Sequence, residues 1–160
     1  MRRRRVLPGL VVGVLAVLSL TGCGAFGLGV RSQTCVDWVS FDSPADAVEE
    51  ADAVVAGRLV GQSGSATLYG EAAPIWTIDV DKWIKGDGDD QLRVVSTPAT
   101  CEASPPPDPF LAVEDEDRVI VILHDDPDVG WRSITPWQGI VVAGPDGGVP
   151  EVWPSSPTGE

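Results

Sequence analysis

The chain has 160 residues, 24 of them acidic and 11 basic, for a net charge of −13 at pH 7. That length suits one domain and leaves too little for two comfortable ones. The acidity excludes a nucleic-acid partner, because binding phosphates needs a basic surface.

Arg2 to Arg5 form a charged start, and Val6 to Leu20 carry no charge and are rich in Val, Leu, Ala and Gly. This is the charged region and apolar run of a signal peptide, predicted over residues 1–22. The run has 15 residues and is broken by Pro8, Gly9 and Gly13, short of the roughly 20 that a spanning helix needs. It ends in Leu20-Thr21-Gly22-Cys23. That tetrapeptide resembles the lipobox of bacterial lipoproteins, an apolar residue and two small ones before a cysteine whose thiol accepts a diacylglycerol. The resemblance implies cleavage before Cys23, lipidation of Cys23, and a place on the extracytoplasmic face of the cell membrane. Two acyl chains on one residue anchor stably, because each buried methylene contributes about 0.8 kcal/mol. Arg3-Arg4-Arg5-Val6-Leu7 also partly matches a twin-arginine signal, so both export routes fit.

Asn is absent, and lysine occurs only at Lys82 and Lys85. This usage fits a high-G+C coding bias, and the whole resembles actinobacterial lipoproteins. Removing residues 1–22, with four arginines and no acid, takes the net charge from −13 to −17. Direct adhesion to an anionic bilayer is thereby disfavoured, which leaves the lipid as the membrane contact.

Residues 23–32 read as a lipidated, glycine-rich tether, 33–153 as a β-rich domain and 154–160 as a disordered tail. Ser43-Pro44-Ala45-Asp46 supplies an N-cap, a proline at the first helical position and an acid three residues after the cap, predicting a short helix to about Asp52. A strand over Ala53–Val60, ended by Gly61, precedes a Ser/Gly loop from Gln62 to Gly70. Ile75–Ile84 alternates, with Trp76, Ile78, Val80 and Ile84 on one face. Gly86-Asp87-Gly88-Asp89 turns the chain back into a strand over Leu92–Thr97. Ser104 to Pro109 holds four prolines and is an exposed loop. Val119–Leu123 is a continuous apolar strand. Shorter strands follow at Trp131–Thr135 and Gly139–Ala143, with a last one at Val149–Trp153. Short strands with one short helix predict a mainly β fold, a small antiparallel barrel or sandwich.

With Cys23 assigned to lipid, Cys35 and Cys101 remain as an even pair in an exported protein, which predicts a disulfide. The bridge closes a loop of 66 residue steps, which stabilises by about 4 kcal/mol.

Several segments, in this order, resemble the netrin/TIMP-like variant of the OB barrel. Residues Ala51 to Val60 are similar to its opening barrel strand, an acid followed by apolar residues and glycine. Thr77 to Gly86 resembles the next, which ends in a Lys-Gly turn. Thr100-Cys101 sits where the family has a cysteine linked to one near the domain start, a role that fits Cys35. Asp117 to Leu123 resembles a buried later strand. The resemblance implies a small closed barrel. It departs in having a single cysteine pair, and Asp115-Glu116-Asp117 where a glycine turn is usual. Inhibitors in that family chelate a protease zinc with a free amino-terminal cysteine. Cys35 has no free amine here and Cys23 lies at the membrane, so metalloprotease inhibition is not carried over.

No catalytic or metal set emerges. His124 is the sole histidine, followed by Asp125, Asp126 and Asp128, and a His-Asp pair orients a base in serine hydrolases. No Gly-x-Ser-x-Gly elbow accompanies it. An EF-hand loop from Asp87 would need glycine at its sixth place and glutamate at its twelfth, where Leu92 and Pro98 stand. Six tryptophans are many for this length, and aromatic residues anchor interfaces or stack on sugars. Trp131 and Trp137, flanking Pro136 and Gly139, are the expected exposed pair. The expectation is therefore a nonenzymatic, lipid-anchored domain, needing no cofactor, that binds a protein or a cell-wall glycan. The alternative is a small hydrolase using His124.

Overall fold

A computed structural model of the chain describes residues 34–104 and 106–154. The signal peptide, Cys23, the tether and tail residues 155–160 lie outside them.

Helix α1 spans Pro44–Glu50 and opens with the expected cap: the Ser43 hydroxyl accepts from the Asp46 amide, and the Asp46 carboxylate accepts from the Ser43 amide. Six strands follow: β1 Ala53–Leu68, β2 Glu71–Lys85, β3 Gln91–Val95, β4 Val119–Asp126, β5 Gly130–Ser133 and β6 Ile140–Val142. They are joined in the order β1-β2-β3-β5-β4-β6, and a further β1–β4 pairing closes the first five into a barrel. The fold is mainly β, a small closed barrel with one short helix, as the sequence predicts.

One junction is not antiparallel, because β3 and β5 run parallel at Val95 and Arg132. The chain leaves β3 through a long connection before entering β4, so β5 returns beside β3 in the same direction; a tight hairpin cannot join such a pair.

The predicted Ser/Gly loop is instead strand. β1 continues past Gly61 and Gly64 to Leu68 and pairs with β2 throughout. The register shifts at Leu59/Gly61 and Gln62/Gly64. There glycine takes φ values of 145° and 156° that other residues rarely adopt, so glycines that read as loop punctuation serve as bulges in a ladder. A two-residue turn at Tyr69–Gly70, with φ of 56° and 86°, then reverses the chain. Bulges also overturn the predicted face of β2. Trp76 and Ile78 are buried in the lumen with Val80 against it, but two successive residues of β1, Gly57 and Ala56, oppose Val80 and Lys82 with Asp81 between. That shift turns Trp83 toward the lumen cluster and Ile84 to the outer one.

Two apolar clusters sandwich the closing strands. Val55, Trp76, Ile78, Val94, Phe110, Val119, Val121 and Leu123 fill the lumen. Val54, Ala56, Ile120, Ile122 and Val141 face outward and are covered by α1 and Phe41. β4 supplies both, all five of its residues from Val119 to Leu123 being fully buried, which is why it reads as an uninterrupted apolar run.

The proline-rich segment is exposed at Ser104, Pro106 and Pro107, then turns inward. Phe110 is buried and stacks on Trp76 at 5.8 Å between ring centroids. Asp108 accepts from the Trp76 indole (2.8 Å), the Ser96 hydroxyl (2.8 Å) and the Phe110 amide (3.0 Å). A 3-10 turn, Leu111–Val113, follows.

The predicted last strand is absent. Residues 149–153 are irregular, held by the Trp153 indole donating to Phe41 O at 2.9 Å. Pro150 and Pro154 have no amide to offer a ladder.

Candidate functional site

The cysteine pair is bonded: Cys35 and Cys101 form a disulfide with their Cα atoms 5.3 Å apart. Beside it the Val36 amide donates to the Thr100 hydroxyl at 2.8 Å, and the Thr34 amide donates to Tyr69 O. The bridge therefore ties the segment before α1 to the loop after β3.

Several concavities mark the surface of the described residues. The first, about 480 Å³, runs along β6, with Ile140, Val141 and Val142 as its floor and Val113, Trp137 and Trp153 among its walls. Trp137 is 48% exposed, the more accessible of the two tryptophans singled out from the sequence. Gln138 fixes its position. Its side-chain amide donates to Phe41 O and its side-chain oxygen accepts from the Phe41 amide, both at 2.8 Å. This copies the paired bonds of an antiparallel ladder with a side chain.

Trp131 is not on that groove. It is the second residue of β5, sits 6.4 Å from the Trp83 ring and is half-buried against the lumen cluster. The two tryptophans are thus placed on different features, a separation that their spacing in sequence does not reveal.

The second concavity, about 670 Å³, lies between α1 and β4 and includes Ser40, Asp42, Asp46, Glu49, Glu50 and His124. His124 Nδ1 is 2.7 Å from Asp52 Oδ2, and the same oxygen accepts from the Asp125 amide at 3.0 Å. The ring is thereby oriented by a carboxylate. Among the described residues no serine hydroxyl bonds to it, so a base is present without an attached nucleophile. The third, about 510 Å³, is walled by prolines, including Pro74, Pro98 and Pro136. Among its described lining residues the buried polar side chains are Ser96, whose hydroxyl donates to Asp108, and Thr97, whose hydroxyl donates to Ser133 O.

The aspartates after His124 do not act together. Asp126 turns inward, and its carboxylate accepts from Arg132 Nε at 3.1 Å with both side chains about nine-tenths buried. Burial alone would raise the Asp126 pKa. The Asp128 amide, the Arg132 hydrogen bond and charge, and the Val129 amide outweigh it and hold the carboxyl below its ordinary 3.8. Arg132 also donates to Ser133 O and Ile134 O and lies 5.5 Å from the centre of the Trp38 ring. This buried pair was not read from the sequence; an arginine in an apolar strand segment, facing an acid six residues earlier, is the signal. Among the described residues no group of three or more histidine, cysteine or acidic side chains converges on a metal position.

Comparison with protein-family models, characterised proteins and solved structures finds no match to the chain.

Proposed function

We propose that the chain is an exported protein, lipid-anchored at Cys23 on the outer face of the cell membrane, whose barrel binds a protein or cell-envelope component without catalysing a reaction. The observation that carries the binding reading is the groove along β6, where Trp137 stands half in solvent above apolar residues. Large aromatic side chains in such positions concentrate binding energy. The lipobox-like Leu20-Thr21-Gly22-Cys23 supports the anchor, and actinobacterial-type composition supports a bacterial envelope. The strand order and the Cys35–Cys101 bridge support reading the barrel as a netrin/TIMP-like variant.

Photo-crosslinking from residue 137 on intact cells, followed by identification of the captured molecule, tests the binding. A defined envelope component or protein is expected, and no capture at native abundance overturns the reading. Cys23→Ala tests the anchor. The variant is expected in the medium or with its signal peptide retained, and an unchanged, lipid-labelled membrane protein refutes the assignment.

The Asp52–His124 contact favours a second reading, a small hydrolase with His124 as general base, because a carboxylate on Nδ1 leaves Nε2 free to take a proton. Loss of a measured hydrolysis in His124→Ala would establish it over the binding reading.

A further inference from the structure

β6 is the last strand of its sheet and pairs with β4 alone. Gly139 O accepts from the Ile122 amide and the Ala143 amide donates to Arg118 O. Residues 139, 141 and 143 thus turn their backbone groups toward β4, and by the alternation of an antiparallel ladder Ile140 and Val142 turn theirs away. Among the described residues no hydrogen bond reaches those outward groups. An open row of backbone donors and acceptors is a ready template for pairing with another strand.

The surroundings suit a strand. Val113 packs on the lumen cluster that Ile140 joins, and Trp153 on the outer cluster that Val141 joins, so each face of β6 is continued by an apolar wall. Side chains that alternate between faces would meet one wall and then the other. At Val142 the groove passes into a hollow lined by Glu116, Asp117 and Arg118, whose guanidinium is already paired with Asp81 at 3.0 Å, so the two acids are left to face an occupant.

We infer that the β6 edge adds, as a further strand, an extended peptide segment of a protein partner, apolar at alternate positions and carrying lysine or arginine at the end nearest Glu116 and Asp117. The inference rests on the binding reading above and names its partner class. Charge selects this occupant. The chain's own residues 155–160, Ser-Ser-Pro-Thr-Gly-Glu, hold no cation, and Pro157 interrupts a ladder. A second copy, cut before Cys23, brings the same net charge of −17 and is repelled. A glycan supplies no amide series to match the strand repeat.

The test uses the full-length chain in detergent and a fluorescein-labelled Lys-Val-Thr-Val-Thr-Lys peptide, with anisotropy as the readout. Saturable binding is expected. It should weaken at least about tenfold, or 1.4 kcal/mol, in Val142→Pro, in Trp137→Ala, and when the peptide lysines become glutamates. Methylating alternate peptide amides should abolish binding in one parity and spare it in the other. No saturable binding, undiminished binding by Val142→Pro, or equal effects of the two methylation parities would overturn the inference. If Val142→Pro does not fold, the methylated pair decides on the unaltered chain. A dimer dissociated by Val142→Pro would assign the edge to a second copy and overturn it too. Capture of a partner through residue 137 without peptide binding sinks this inference alone; failure of capture sinks the reading beneath it.

Discussion

β1 and β6 flank the same strand. The opening stretch of β1, Ala53 to Gly57, pairs with one edge of β4, and β6 pairs with residues 119–121 on the other. The two stretches that pair with β4 are both short, apolar and rich in valine. Yet β1 has β2 on its far side, while β6 has no further strand among the described residues. Composition therefore does not decide whether a strand becomes a closed seam or an open edge. The path of the following chain does: after β1 a tight turn returns it as β2, whereas after β6 Pro145 and Pro150 lead it away without a ladder.

The sharpest way to break this contrast is on the closed side, at the buried ion pair between β4 and β5. Asp126→Asn leaves the Arg132 charge buried without a counter-ion and should cost about 3 to 5 kcal/mol, measured by urea unfolding. Because the folded Asp126 carboxyl titrates below its ordinary 3.8, its contribution is complete above that value and is lost as pH falls through the lower folded pKa. The stability gap between wild type and variant should hold from neutral pH to about pH 4 and close below it. Ile120→Ala, at the centre of the β1-β4-β6 ladder and fully buried, should cost about 2 to 5 kcal/mol. A loss no larger than that of an exposed site would show that the seam is not what holds the barrel.

Removing the bridge with Cys35→Ser and Cys101→Ser should lower stability by about 2 to 4 kcal/mol, read as a fall in the urea midpoint with the transition still cooperative. On the open side, Val142→Pro deletes only an outward amide and should change stability by about 1 kcal/mol or less. A much larger loss would mean that β6 is not an edge. The smallest effect is expected for His124→Ala, since an exposed pair such as His124–Asp52 contributes about 1 kcal/mol at most.

Much of the fold was legible because local chemistry fixed it. The Ser43–Asp46 capping box set the start of α1, the Val119–Leu123 run marked the doubly covered strand, and the even cysteine pair anticipated its bridge. The misreadings share one cause. Gly61 and Gly64 look the same in sequence whether they end a strand or bulge within it, and Ile84 changed face through a bulge that only the partner strand creates. At the candidate site Trp137 was legible as an exposed aromatic residue, while Trp131 was not distinguishable from it until β5 docked beside Trp83.

By itself the sequence determined the features that depend on near neighbours: a capped helix and, of the seven strands it predicts, the six that form. It also carries the expectations of export and lipid anchoring at Cys23 and of a partner other than nucleic acid. Tertiary structure alone decided which edge of which strand stays open, that Asp126 would leave its acidic neighbours to meet Arg132, and that His124 would find Asp52 rather than a nucleophile. These depend on contacts between residues tens of positions apart. Periodicity records which face of a strand is buried, but it carries no information about what lies beyond the strand's edge.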